Sequence, residues 1–258
     1  MEHKGKRHSI KGYLMAGGIG GSFLLLALLM IFGGYIIAQY RRIYEREHEI
    51  LTSDYAHKLG HDIDLLESYI KNIYSDNVHY QILRRPQITE SQWMQATYYL
   101  NNNFRAKAGI LDYFGGVFYY DEKWNSLRSE FSNYPYEGDS YRLNQLVKEV
   151  VRPLTGERMP CRAVMTYEEE TYLVYVLGDH GKQLGYLINL SRYFAQRENM
   201  QLVIADLAGN ILVSQGVGIL DGDSAACEIA RKGQNSGFTC MISKENVSGQ
   251  DLQILLVH

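Results

Sequence analysis

The sequence predicts an α+β protein: an N-terminal transmembrane helix running into a long helix, then antiparallel sheets in tandem. Three observations carry this reading. The run from Tyr13 to Gln39 contains no Asp, Glu, Lys, Arg, His or Pro. After it, apolar residues recur at steps of four and three without Pro as far as Arg85. Beyond Pro86 the pattern turns to short alternating runs separated by acidic and Gly-rich turns, and it does so twice.

The charge-free run comes first. At about 1.5 Å per residue it is long enough to cross a hydrocarbon core of about 30 Å. A buried helix of a globular core seldom goes so far without a charge. A cleaved signal peptide fits the basic residues Lys4, Lys6, Arg7 and Lys11, but the apolar run is too long for one and no small-x-small site follows cleanly. The reading is an uncleaved single-span anchor at 13–39 behind a basic cytoplasmic tail at 1–12. Lys and Arg do not orient it: Arg41, Arg42 and Arg46 nearly balance the tail, and a long domain translocates largely regardless of charge. Within the span, Ala16/Gly20 and Gly17/Gly21 are small-xxx-small pairs that allow close helix packing. The same glycines suggest a phosphate loop only out of context, since no strand precedes them.

The next segment, 40–85, reads as one helix leaving the bilayer. Leu59, Ile63, Leu66, Ile70 and Ile73 form a coiled-coil-like stripe, and Lys58, Asp62, Asp64, Glu67 and Lys71 give an opposite charged, solvated face. A second helix is expected over Glu90–Ala108 with Thr89 as its cap. Strands follow at Gly116–Asp121 and Ser126–Phe131, a helix at Tyr141–Arg152 ended by Pro153, and strands at Arg162–Tyr167, Thr171–Leu177 and Gln183–Leu190. This is an antiparallel sheet with helices on one side. A shorter round repeats it: strands at Gln201–Asp206 and Asn210–Ser214, a helix at Ser224–Lys232, and strands at Phe238–Ser243 and Leu252–Val257.

Composition narrows the function classes. A net charge of -3 and a pI near 6.2 leave no basic footprint for nucleic acid. Hydrophobic content of 46% with 24 glycines indicates folded, turn-punctuated structure. Cys161, Cys227 and Cys240 lack a C-x-x-C spacing, so neither a zinc site nor a thioredoxin-like motif is written there. Cys227 and Cys240 are either buried thiols or, outside the cell, a pair.

Two phrases carry a family likeness. Gly185-Tyr186-Leu187-Ile188-Asn189-Leu190-Ser191 resembles the strand that closes a membrane-distal Cache unit. Val203 to Ser214, with Asp206, Gly209 and Ile211 in place, resembles the hairpin that opens a membrane-proximal one. With the anchor and long helix, residues 41–258 resemble the extracytoplasmic double-Cache (PAS-like) sensor region of a bacterial transmembrane receptor, most closely a Gram-positive sensor histidine kinase. The resemblance implies a membrane-distal PAS-like unit at 86–195 and a membrane-proximal one at 196–258. In that family a second span and a kinase core follow the last strand; the expectation here is either a sensor portion cut before its return through the membrane, which is favoured, or an anchored ectodomain.

Candidate chemistry is sparse. Gly60-His61-Asp62 lacks the continuation of a phosphoacceptor motif. His57 and His61, one turn apart with Asp54 near, read as exposed helix residues and not as metal ligands. No catalytic set is defensible, and no cofactor is implied. A ligand pocket is expected on the sheet of the first unit, drawn from Tyr119, Trp124, Arg128, Tyr134, Tyr167, Tyr172 and Tyr175. Arg128 would clamp a carboxylate while aromatic rings cover an apolar body. Tyr119 and Tyr120 must face opposite ways. The functional expectation is a sensor module that is membrane-anchored, extracytoplasmic and homodimeric. It would detect a small ligand or an extracytoplasmic protein and transmit by helix displacement. The alternative is an anchored binding or assembly protein without a ligand switch.

Overall fold

The computed structural model describes residues 10–107, 114–131, 137–156, 159–193, 201–216, 242–247 and 250–257. The chain divides into two units, Met1–Ile50 and Leu51–His258. One helix, α1 (Ile10–Asp76), supplies all of the described first unit and the opening of the second. Among the described residues it is the one helix long and apolar enough to cross a membrane. Its large apolar side chains in the first unit stand outward, with Phe23 77%, Met30 68% and Ile37 70% exposed. In water each such side chain forgoes roughly 1.5–3 kcal/mol of burial, a loss that hydrocarbon removes. A Cβ added at Gly17, Gly20 or Gly21 would meet nothing within 4 Å, so this small-residue face is open.

In the second unit the predicted stripe is the core. Leu59, Ile63, Leu66, Ile70 and Ile73 are all buried in one apolar cluster. The expected unbroken helix to Arg85 is interrupted at Asn77, however, without Pro or Gly. Asn77 takes extended angles (φ -74°, ψ 115°), and its side-chain oxygen accepts from the amides of His79 and Tyr80, both at 3.0 Å. An Asn that satisfies the next turn's free amides starts a new helix there. That helix is α2 (Val78–Leu83).

Helix α3 (Glu90–Lys107) begins where Thr89 predicts. Thr89 Oγ1 accepts from the Gln92 amide at 3.3 Å, and Gln92 Oε1 accepts from the Thr89 amide at 3.1 Å. This is a capping box.

Five strands follow: β1 (Phe114–Asp121), β2 (Ser126–Phe131), β3 (Cys161–Tyr167), β4 (Glu170–Asp179) and β5 (Lys182–Asn189). Their order is β2-β1-β5-β4-β3, with every neighbouring pair antiparallel. Helix α4 (Glu137–Val151) lies between β2 and β3 and passes into a 3-10 turn, Arg152–Gly156, that contains Pro153.

The sheet is covered on both faces, which corrects the expectation of helices on one side. Val117, Tyr119, Tyr175, Leu184, Tyr186 and Ile188 join the cluster of α1, α2 and α3. Phe118, Tyr120, Tyr172, Val174, Val176 and Leu187 face the other way, onto Leu143, Val147 and Val151 of α4. The reason was present in β4 and β5: Tyr172 to Val176 is apolar at every position, a run that needs both faces covered. Gly185 shows how close the central strands lie. A Cβ there would sit 2.2 Å from the Phe118 ring and 2.3 Å from the Tyr175 carbonyl oxygen.

A second sheet contains β6 (Gln201–Asp206), β7 (Ile211–Gly216), β8 (Ile242–Asn246) and β9 (Leu252–Val257), in the order β7-β6-β9-β8. Leu202, Ile204, Val213, Ile254 and Leu256 belong to the same cluster as the α1 stripe. Val203, Ala205 and Leu255 face away and form a small cluster with Ile211. The β6–β7 turn uses Gly209 at φ 91°, while the Asp206 carboxylate accepts from the Asn210 amide at 2.8 Å and from its side chain at 2.6 Å. Burial alone would raise the pKa of Asp206, but these hydrogen bonds hold it below the ordinary carboxylate range. The helix expected at Ser224–Lys232 and the first part of the strand expected from Phe238 lie outside the described residues.

Candidate functional site: a groove between α3 and β2

Asp121, at the end of β1, is buried and gathers the surrounding elements. Its Oδ2 accepts from Trp93 Nε1 of α3 at 3.1 Å and from the Tyr119 hydroxyl at 2.8 Å. Its Oδ1 accepts from the amides of Lys123 and Trp124, at 3.1 and 3.4 Å, which fixes the β1–β2 turn. Alternation puts Tyr119 and Asp121 on one face, and burial together with the neighbouring carboxylate pushes the Tyr119 hydroxyl far above the ordinary tyrosine range. The Trp93 and Trp124 rings stack with centroids 5.3 Å apart. Lys182, opposite Asp121 in register, is buried and donates to the Leu83 and Arg85 carbonyls. It thereby satisfies free carbonyls at the end of α2, while burial draws its amine below the ordinary lysine range.

On the outer side of this cluster, Met94, Thr97, Tyr98 and Asn101 of α3 and Arg128 of β2 line a groove of about 310 Å³. Arg128 pairs with Tyr119 across the ladder, and its guanidinium stands 5.4 Å from the centre of the Trp93 ring. This cation–π contact holds its charged end in place. Arg128 has no carboxylate partner among the described residues, whereas Glu130, two residues along the same strand, pairs with Arg105 at 3.2 Å. Thr97 Oγ1 donates to the Trp93 and Met94 carbonyls, so its polar atom serves the helix. The side-chain oxygen of Asn101 is buried without a hydrogen-bond partner. Met94 and Tyr98 leave apolar surface exposed at the rim. Among the described residues the groove therefore offers a cation, an amide and apolar walls, which is equipment for binding.

The structure separates the residues expected to line one pocket. Tyr119, Trp124 and Arg128 collect beside α3, and of these Arg128 reaches the groove. Tyr175 shares their face of the sheet but stacks on Tyr186, centroids 5.1 Å apart, and burial pushes its hydroxyl up to about 12. Tyr172 and Tyr167 are on the opposite face with α4. Tyr134 lies outside the described residues. The correction follows from strand parity, since residues an odd number apart on one strand, such as 172 and 175, face opposite ways. What the sequence reading missed is α3: Trp93, Met94, Tyr98 and Asn101. The available signal was a helix carrying large side chains on both sides, with Leu100 and Phe104 buried and Met94 and Tyr98 exposed.

The supposedly solvated face of α1 is a second correction. Asp62 and Glu67 are buried. Asp62 accepts from the Tyr193 hydroxyl at 2.5 Å, and Glu67 takes Arg162 of β3 at 2.5 Å and Lys71 at 3.0 Å. Burial raises the pKa of Glu67, but Arg162 and Lys71 outweigh it and hold the carboxyl below its usual range. Asp64 accepts from Gln250 Nε2, just before β9, at 3.3 Å. Helix α1 is thus tied by polar contacts to both sheets. His57, His61 and Asp54 are exposed. Cys161 is half-buried and its thiol donates to the Met159 sulfur at 3.5 Å, and Cys227 and Cys240 lie outside the described residues.

No protein-family profile matches the sequence, and no curated protein matches it. Among solved structures, the chain is similar to the extracellular domain of a proposed histidine kinase, vpHK1S-Z8, with TM-score 0.46 and 11% identity over 83% of this chain and 91% of that one. It is also similar to the periplasmic domain of Vibrio cholerae LuxQ, with TM-score 0.43 and 11% identity over 81% of this chain and 99% of that one. A selenomethionine form of that LuxQ domain gives TM-score 0.42 and 12% identity over 81% and 97%.

Proposed function

We propose that this chain is the membrane-anchored, extracytoplasmic sensor module of a bacterial signal-transduction receptor of the two-component histidine kinase type. In this reading 1–12 is a cytoplasmic tail, 13–39 spans the bilayer, and 86–195 and 196–258 are PAS-like units of the double-Cache kind. A small ligand bound on the first sheet changes the packing of α1 in a homodimer, and the displacement passes to the span. The observation that supports it most is the continuity of α1. One helix carries both the bilayer-length apolar run and, from Leu51 on, the buried stripe that holds the two sheets. The buried polar contacts on that helix, Glu67 with Arg162 and Asp62 with Tyr193, are links that a shift of α1 must stretch or exchange. A ligand drives such a shift only by binding the two arrangements with different affinity.

The test is a chimera of residues 1–258 followed by a second span and a kinase core with a transcriptional reporter. Inserting one Ala between Arg42 and Ile43 rotates the helix below by about 100°, and inserting four nearly restores the phase. Under the proposal, output changes with the single insertion and returns with four. Output indifferent to both would instead fit an anchored binding or assembly protein with no switch.

A further inference from the structure

The groove between α3 and β2 has an architecture that the fold does not need. Arg128 is exposed, lines the groove, has no carboxylate partner among the described residues, and is held over Trp93. Pairing Arg128 with an acid would be as simple as the Arg105–Glu130 pair beside it. Asn101 places a buried side-chain oxygen without a partner in the same lining. Buried polar groups are nearly always hydrogen-bonded, so this oxygen can take a donor that enters the groove, from water or from a ligand. Met94 and Tyr98, both more than half exposed, add a thioether and a ring that suit a flat apolar body. The volume of about 310 Å³ lies at the lower end of the range for small-molecule sites, roughly 300–1,000 Å³.

We propose that this groove binds a small organic carboxylate with a flat apolar body. The carboxylate meets the Arg128 guanidinium, a polar substituent meets the Asn101 amide, and the body lies on Met94 and Tyr98. Arg128 suits a carboxylate better than a lysine would, because its fixed fork accepts two oxygens at once. The inference deepens the sensor reading and takes its biological meaning from it. Occupancy of the groove is nevertheless independent of whether α1 transmits anything.

The experiment uses the full chain in lipid nanodiscs and 4-fluorophenylacetate as the probe, followed by fluorine NMR line broadening. The neutral isostere 2-(4-fluorophenyl)ethanol is run in parallel. The expected result is a preference of about tenfold for the carboxylate, as a charge-assisted bidentate contact gives. Arg128→Gln removes that preference, and Arg128→Lys restores only part of it. Lys123→Gln, which takes away the neighbouring cation on Trp124, leaves the preference intact. Equal binding of acid and alcohol, a preference that survives Arg128→Gln, or one abolished by Lys123→Gln would each overturn the proposal. Circular dichroism melts of the variants show that the groove, and not the fold, has changed. A positive result here with the insertion chimera indifferent leaves the site standing and removes the switch; the reverse outcome removes this site and keeps the switch.

Discussion

The two sheets begin with the same pattern and are secured differently. Each opens with a hairpin and places its last strand beside the first, giving β2-β1-β5-β4 in one and β7-β6-β9-β8 in the other. The first adds β3, and its central strand β5 is buried at every position. The second shares one face with the core around α1, and its outward cluster comprises Val203, Ala205 and Leu255. Among the described residues their polar links to α1 differ as well: an ion pair between Glu67 and Arg162 and a hydrogen bond from the Tyr74 hydroxyl to Asp179 for the first, a hydrogen bond from the Gln250 side-chain amide to Asp64 for the second. Among the described residues, then, one ladder order supports a sheet packed on both faces and a sheet whose polar contacts with α1 are fewer.

The largest test of this contrast is Gly185→Val. No side chain fits between Phe118 and the Tyr175 backbone, so the variant should lose about 3 kcal/mol or more in denaturant unfolding of the full chain in detergent. A stability equal to the parent's would show that the first sheet is not packed as tightly as described.

Arg162→Gln comes next, at about 2 kcal/mol near neutral pH, the cost for a fully buried pair being reduced because Arg162 is partly exposed. Its pH dependence sharpens the point. The pKa of Glu67 is lowered in the folded chain, so its contribution is complete above the unfolded carboxylate value of about 4.3 and is lost as pH falls through the lower folded value. In Arg162→Gln this part of the acid destabilisation should shrink to what Lys71 sustains; acid unfolding curves of unchanged shape would remove the pair from the account.

In the second sheet, Gly209→Ala forces a side chain to a positive φ and should cost about 1–2 kcal/mol. Amide exchange should quicken in β6 and β7 and stay unchanged in β5; a matching rise in β5 would mean that the two sheets open as one unit. The smallest effect is expected from Asn77→Ala, about 1 kcal/mol, by loss of the α2 cap. A thermal melt identical to the parent's would show that the break after Asp76 is set by packing and not by that side chain.

Most of the fold was legible because its signals are local. Periodicity found the stripe Leu59 to Ile73, Thr89 marked the start of α3, and alternation located β2, β6 and β9 at their observed limits. Non-local facts were hidden. Nothing around Asp62 or Glu67 announces that Tyr193 and Arg162, far along the chain, will bury them. The helix break at Asn77 carries neither Pro nor Gly, and its cause, a side chain that caps the next helix, takes effect only in the folded turn. The candidate site was half visible. Arg128 stood out as a cation among aromatic residues, but its partners come from α3, and only the fold brings that helix against β2.

One further consequence concerns light. The sequence holds 2 tryptophans, and Trp93 and Trp124 are stacked together beside the groove, one of them under the Arg128 guanidinium. Indole emission from the intact chain, excited where tyrosine absorbs little, therefore arises at this single place. Stacked indoles also couple their transitions, which gives a paired circular dichroism band sensitive to the angle between the rings. A ligand that displaces Arg128 or shifts α3 would announce itself in both signals without any label. The protein carries its own reporter at the position where a bound molecule is expected.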